Sequence, residues 1–124
     1  MVRTVLVVDD SAAFREAASA LLLSEGLVVV GEAADGQSGL ELAARLQPDL
    51  VLLDVQLPDL DGFEVARRLA AGHGGAARVV LVSTRSASSL RVGLSHTSAA
   101  GFLAKQDLTG HALRRLLDDS GQHP

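Results

Sequence analysis

Val51-Leu52-Leu53-Asp54 decides how this chain is read: three apolar residues run straight into a single carboxylate. A short continuous apolar run bounded by turn formers is the signature of a strand buried on both faces, as in a parallel sheet. Open parallel sheets place their chemistry just outside the carboxyl ends of the strands. Asp54 therefore stands where a reactive group would stand, and the ends of the first, fourth and fifth strands bear on it.

The same pattern recurs along the chain. Val5 to Val8 is a first strand, followed by Asp9-Asp10-Ser11. Ser11 is positioned to cap a helix carrying Phe14, Ala17, Ala18, Leu21 and Leu22, which Gly26 ends. Leu27 to Val30 begins a second strand that extends toward Ala33, and Asp35-Gly36 reads as a turn before a helix from about Ser38 to Leu46. Pro48-Asp49 precedes the third strand, Leu50 to Leu53. After Pro58, Asp61 caps a third helix, with Glu64 as the return arm of a capping box. Val79 to Val82 is a fourth strand ending at Ser83-Thr84. Ser86 to Ser98, with five serines, is a weak fourth helix, short or mobile. Gly101 to Ala104 is a brief fifth strand ending at Lys105. A last helix starts at the cap Thr109 and carries Leu113, Leu116 and Leu117.

Strands alternating with helices imply an α/β domain, a parallel sheet covered on both faces. The expected fold is flavodoxin-like and doubly wound, five strands in the order 2-1-3-4-5. At 124 residues it is expected to be one domain, with an ordered core over about 3–118 and a tail over 119–124. Three Phe with no Trp or Tyr leave the core to Val, Leu and Ala. The net charge of −4 argues against a nucleic-acid surface. With no Cys there is no disulfide or thiol chemistry, and the only N-terminal apolar run is too short for a signal sequence or a membrane span. A cytoplasmic protein without membrane contact is expected.

The strand ends supply Asp9 and Asp10, Asp54, Ser83 and Lys105. Singly, each is an ordinary loop residue, since Asp after a strand is most often a turn former. Jointly they line one sheet edge. Three carboxylates that close repel unless a cation joins them. Oxygen-only ligands suit a hard ion, Mg²⁺ above all, with Mn²⁺ as an alternative. A carboxylate nucleophile, a metal, an ammonium and a hydroxyl are the parts phosphoryl transfer uses. No His-Cys cluster suggests zinc, and no Gly-rich loop with a Lys follows the first strand for nucleotide phosphates.

These residues resemble the receiver domains of two-component response regulators, CheY-like proteins, from Val5 to about Leu117. The matching pieces are Asp9-Asp10, the stretch Pro48 to Asp54 with Pro58 and Asp61-Gly62, then Ser83 and Lys105. The resemblance implies that Asp54 takes a phosphoryl group from the phosphohistidine of a sensor histidine kinase or a phosphotransfer protein. It implies Asp10 as a direct metal ligand, Asp9 as its water-mediated partner, and the backbone carbonyl of Gln56 as a further ligand. Ser83 is similar to the hydroxyl that moves to the phosphoryl group, Lys105 to the lysine that pairs with it, and Phe102 to an aromatic switch. Gln56, Thr84 and Arg85 fall where relatives tune phosphate lifetime. Such a domain catalyses its own phosphorylation and dephosphorylation rather than turning over a substrate. It switches its helix 4, strand 5 and helix 5 surface to control an output, often transcriptional, and homodimerisation on phosphorylation is a family expectation. Many relatives follow the lysine with a cis proline. Here Gln106 follows, and because a non-proline cis bond costs ~2.5–4 kcal/mol, a trans bond or a different loop path is expected. The alternative reading is a receiver-like interaction module that never uses phosphate. A phosphatase with an Asp nucleophile would want a second acid shortly after Asp54, where Gln56 is a poor candidate.

Overall fold

The computed structural model describes residues 4–73, 77–84 and 101–121. Five strands form one parallel sheet: β1 (Thr4–Val8), β2 (Val28–Ala33), β3 (Leu50–Asp54), β4 (Arg78–Ser83) and β5 (Gly101–Ala104). Their spatial order is β2-β1-β3-β4-β5, all neighbours parallel, as expected for a flavodoxin-like domain. Arg85 and the fourth helix expected over Ser86 to Ser98 lie outside the described residues.

Because strand side chains alternate between faces, one strand serves two cores. Leu6, Val8, Val51, Leu53, Val79 and Leu81 face one side of the sheet. They pack with α2 (Gly36–Leu46) and α3 (Gly62–Arg68) through Leu40, Ala43, Val65 and Ala66. Val5, Val7, Leu50, Leu52, Val80 and Val82 face the other side. They meet Ala18 and Leu22 of α1 (Ala12–Ser24) and Leu113 of the C-terminal helix (Gly110–Gly121). All five residues of β3 are buried, which explains its unbroken apolar run. Burying each such Leu stabilises by roughly 1.5–3 kcal/mol relative to exposure. Among the described residues no helix is long and apolar enough to cross a membrane.

The element boundaries have local causes. Ser11 caps α1, its hydroxyl accepting from the Phe14 N–H at 3.2 Å. The helix closes in a paired C-terminal motif: Gly26, at φ 82°, donates to the Leu23 carbonyl, and Leu27 donates back to that of Leu22. Thr109 caps the C-terminal helix through the Ala112 N–H at 3.0 Å. That helix runs to Gly121, so residues 119–121, read from the sequence as the start of a tail, carry helical backbone. Neither Pro nor Gly interrupts it before that point.

Two local expectations are corrected. Asp35-Gly36 is not a turn standing before the helix: Asp35 is its N-cap, accepting from the Ser38 N–H at 2.7 Å, and Gly36 is already helical. A Cβ at Gly36 would lie 2.9 Å from Leu60 Cβ, so this close approach, rather than a turn, requires the glycine. Asp61 caps α3 as expected, accepting from the Phe63 N–H at 2.7 Å. Glu64, however, is drawn away from a capping box, because its carboxylate accepts from Arg67 and Arg68 at 2.5–3.1 Å.

Candidate phosphoacceptor site

The sheet register sets the site. Val8 pairs with both Ala33 and Leu53, Asp54 with Val82, and Ser83 with Ala104. Parallel strands in this register end at one level, so the residues that follow them converge. Asp9, Asp10 and Asp54 each offer a carboxylate oxygen, and the three oxygens lie within 4.8 Å of one another. Asp9 and Asp54 are buried and Asp10 is exposed, so the cluster opens to solvent on the Asp10 side.

Lys105 closes the cluster. Its Nζ stands 2.6 Å from Asp9 Oδ2 and 3.4 Å from Asp54 Oδ2, and it lies 4.4 Å from the centroid of the Phe14 ring. The Lys105–Asp9 contact has the distance of an ion pair but not the angle of a hydrogen bond. Asp9 Oδ2 is thus buried without a hydrogen-bond donor, whereas Lys105 does donate to Asp54. The other oxygens are held: Asp9 Oδ1 accepts from the Ser11 N–H at 2.8 Å, and Asp54 Oδ1 from the Gln56 N–H at 3.1 Å. A buried carboxylate oxygen lacking a donor, beside two more carboxylates and open to water, suits a hard divalent cation. The residues present therefore fit Mg²⁺.

The electrostatics record the crowding. Burial lifts the Asp54 carboxyl, the Gln56 hydrogen bond opposes that, the Asp9 charge adds to the rise and Lys105 opposes it, and the balance lies above the usual range. Desolvation works to lower the Lys105 ammonium, yet its contacts with Asp9 and Asp54 outweigh this and hold it above its usual range.

The remaining sequence candidates divide. Ser83 is fully buried at the end of β4, one strand from Asp54, and Thr84 beside it is exposed. Phe102 is half-buried on β5, paired in register with Leu81 and packed against the α2–α3 side of the core. Gln56 is exposed and faces Asp61 across an isolated antiparallel bridge. Lys105 opens a single tight turn, Lys105–Asp107, and no cis peptide occurs among the described residues, in keeping with Gln106 in place of proline.

Three contributors escaped the sequence reading. Spacing alone places Phe14 on a helix face, whereas in the structure its ring lies under Lys105. Asp59, on the loop after Asp54, accepts from the Gly36 and Gln37 N–H groups at 2.7 and 2.9 Å and ties that loop to the start of α2. These two donors, largest first the Gln37 bond, hold its carboxyl below the usual range. Arg15 donates from Nη1 to the Asp9 carbonyl at 2.6 Å. All three act across sequence gaps that no local spacing signals.

Comparison with known proteins is consistent with this geometry. The family model described as "Response regulator receiver domain" matches residues 5–117. A protein-glutamate methylesterase/protein-glutamine glutaminase of Anaeromyxobacter dehalogenans is 45% identical over 109 residues, which are 87% of this chain and 31% of that protein. BvgA of Bordetella pertussis, named as a putative positive transcription regulator of virulence factors, is 36% identical over 86% of this chain and 51% of its own length. The chain thus spans a third to a half of these relatives. Among solved structures, the receiver domain of NarL from Mycobacterium tuberculosis superposes with TM-score 0.82 at 36% identity, covering 98% of each chain. The response regulator domain of Thermotoga maritima CheB gives TM-score 0.83 at 26% identity, covering both chains fully.

Proposed function

The chain belongs to the response regulator receiver domain family, and from that premise we propose that Asp54 is its phosphoacceptor. The observation that carries this reading is the convergence of Asp9, Asp10 and Asp54 within 4.8 Å, with Lys105 beside two of them. A sensor histidine kinase or phosphotransfer protein is the donor. An Asp54 carboxylate oxygen forms a bond to phosphorus as the phosphorus–nitrogen bond of the donor histidine breaks, and the imidazole leaves neutral, keeping the proton already on its other ring nitrogen. Asp9, Asp10, Asp54 and the Gln56 backbone carbonyl would hold Mg²⁺, which when bound neutralises charge on the acids and on the phosphoryl oxygens.

The protein's own groups do the rest. The Gln56 N–H fixes one oxygen of Asp54 and so orients the other. The Lys105 ammonium, already 3.4 Å from Asp54, has a short path to a phosphoryl oxygen. The Ser83 hydroxyl donates to the same group, and Phe102 responds to the space this leaves. β5 and the C-terminal helix then present a changed surface to an output domain, a partner or a second copy. Gln56 and Thr84, with Arg85 beyond them, set access of the hydrolytic water.

Treatment with acetyl phosphate and Mg²⁺, read by intact mass, tests this. One phosphate is expected per chain, none without metal, and none in Asp54→Ala. Wild-type protein that never gains the mass would favour the alternative, an interaction module independent of phosphate. Turnover of many equivalents without a stable adduct would indicate a phosphatase.

A further inference from the structure

Asp9 is held at more points than a metal ligand alone requires. Its N–H donates to the Ala33 carbonyl at 2.9 Å, its Oδ1 accepts from Ser11, and its Oδ2 faces Lys105. Its carbonyl oxygen accepts from Arg15 Nη1 at 2.6 Å. The same guanidinium donates from Nε to Glu32 Oε1 at 3.0 Å, so one planar group spans α1, the loop after β1 and the end of β2. Arg15 is only 19% exposed in its side chain, although charged.

The Asp9 carbonyl belongs to the peptide that joins Asp9 to Asp10. Fixing that oxygen fixes the peptide plane, and with it the direction in which the chain carries Asp10 away. Asp10 is the exposed member of the acidic cluster, and among the described residues its carboxylate makes no hydrogen bond. Its placement therefore rests on its backbone. A planar guanidinium with donors in a rigid fork can serve two acceptors at once, which a lysine ammonium cannot do with the same geometry.

We propose that Arg15, itself oriented by Glu32, is a positioning residue that holds the Asp9–Asp10 peptide so that Asp10 meets the cation. This rests on Asp9, Asp10 and Asp54 being the metal ligands. Arg15 touches neither metal nor phosphate. It acts through the carbonyl of Asp9, as outer-sphere groups act on ligands in other metal sites.

Positioning and simple charge make opposite forecasts. By charge alone, deleting a nearby cation strengthens Mg²⁺ binding; by positioning, it weakens it. Mg²⁺ affinity of the full chain, measured by titration calorimetry, reads the sign. Arg15→Met, which keeps the apolar stem and loses both donors, is expected to bind Mg²⁺ about tenfold more weakly. Its thermal unfolding in EDTA serves as the check that it is folded. Glu32→Gln and Glu32→Ala lose the same charge, but only the second loses the acceptor for Arg15. The Ala variant is expected to bind Mg²⁺ more weakly than the Gln variant, and this comparison stands even if Arg15→Met does not fold. Arg15→Met affinity equal to or tighter than wild type, or equal affinities in the two Glu32 variants, overturns the inference while leaving the site intact. Wild-type protein that binds no Mg²⁺ overturns the ligand set itself and the inference with it.

Discussion

Asp54 illustrates how one side chain takes its chemistry from its neighbours. Alone it is a carboxylate at a strand end; here it faces Asp9, which repels it, and Lys105, which offsets that repulsion. Removing Lys105 takes away the ammonium that faces the buried Asp9 Oδ2. Lys105→Met is therefore expected to lower metal-free stability by roughly 1–3 kcal/mol in urea unfolding, the cost of an uncompensated buried acceptor. Added Mg²⁺ should recover much of that loss; equal stability of variant and wild type in EDTA would remove Lys105 from the account. Gly62 matters for a different reason. A Cβ there would lie 2.5 Å from Val55 Cα and still closer to the Asp54 carbonyl oxygen. Gly62→Ala must push the backbone that carries Asp54. It is expected to cost about 1–3 kcal/mol and to slow labelling by acetyl phosphate, whereas an unperturbed labelling rate would mean the loop yields freely.

Single elements are tuned at their ends. Glu64 in α3 is pulled down to about 2, first by the hydrogen bond from Arg67 and then by that from Arg68. Its folded-state value lies below the unfolded one of about 4.3, so its contribution to stability is complete above that pH. It is lost as pH falls from about 4.3 toward about 2. Glu64→Gln should therefore be less stable than wild type at neutral pH, with the gap narrowing across that acid window. Urea midpoints at a series of pH values measure it, and a constant gap would mean that the ion pairs are not responsible. In the C-terminal helix, Thr109→Ala removes the acceptor for the Ala112 N–H and is expected to cost ~1 kcal/mol, read as a lower thermal midpoint. That helix is also held at its start by Arg114, which donates to the Glu25 carboxylate at 2.5 Å and to the Glu25 carbonyl at 2.6 Å. The capping box expected at Asp61 failed for a comparable reason. Two arginines within reach of Glu64 offer charge-assisted bonds that outcompete one backbone N–H.

Across the domain, the proposed metal site would link metal binding to folding. The unfolded chain does not assemble Asp9, Asp10 and Asp54, so a cation held by these three would bind the native state selectively and stabilise it by mass action. Millimolar Mg²⁺ is expected to raise the melting temperature of wild type and to leave Asp10→Ala nearly unchanged; identical melts with and without the ion would argue against a formed site. Outside β2, the strands and their ends are legible because apolar runs of four residues, each closed by a polar residue, are local signals. Placing Asp9, Asp54 and Lys105 together needed only that these ends share one edge. Arg15 on Asp9, Phe14 under Lys105 and Asp59 on the start of α2 were closed to it, because none of those contacts has a local pattern.

Chain order thus dictated which residues stand at the ends of the strands, since periodicity and turn chemistry act between near neighbours. The relative height of those ends, the ion-pair distances and the grip of Arg15 on the Asp9 carbonyl came from packing. They are set by sheet register and by the packing of α1 on the strands through Ala18 and Leu22, and both depend on contacts between residues far apart in the chain.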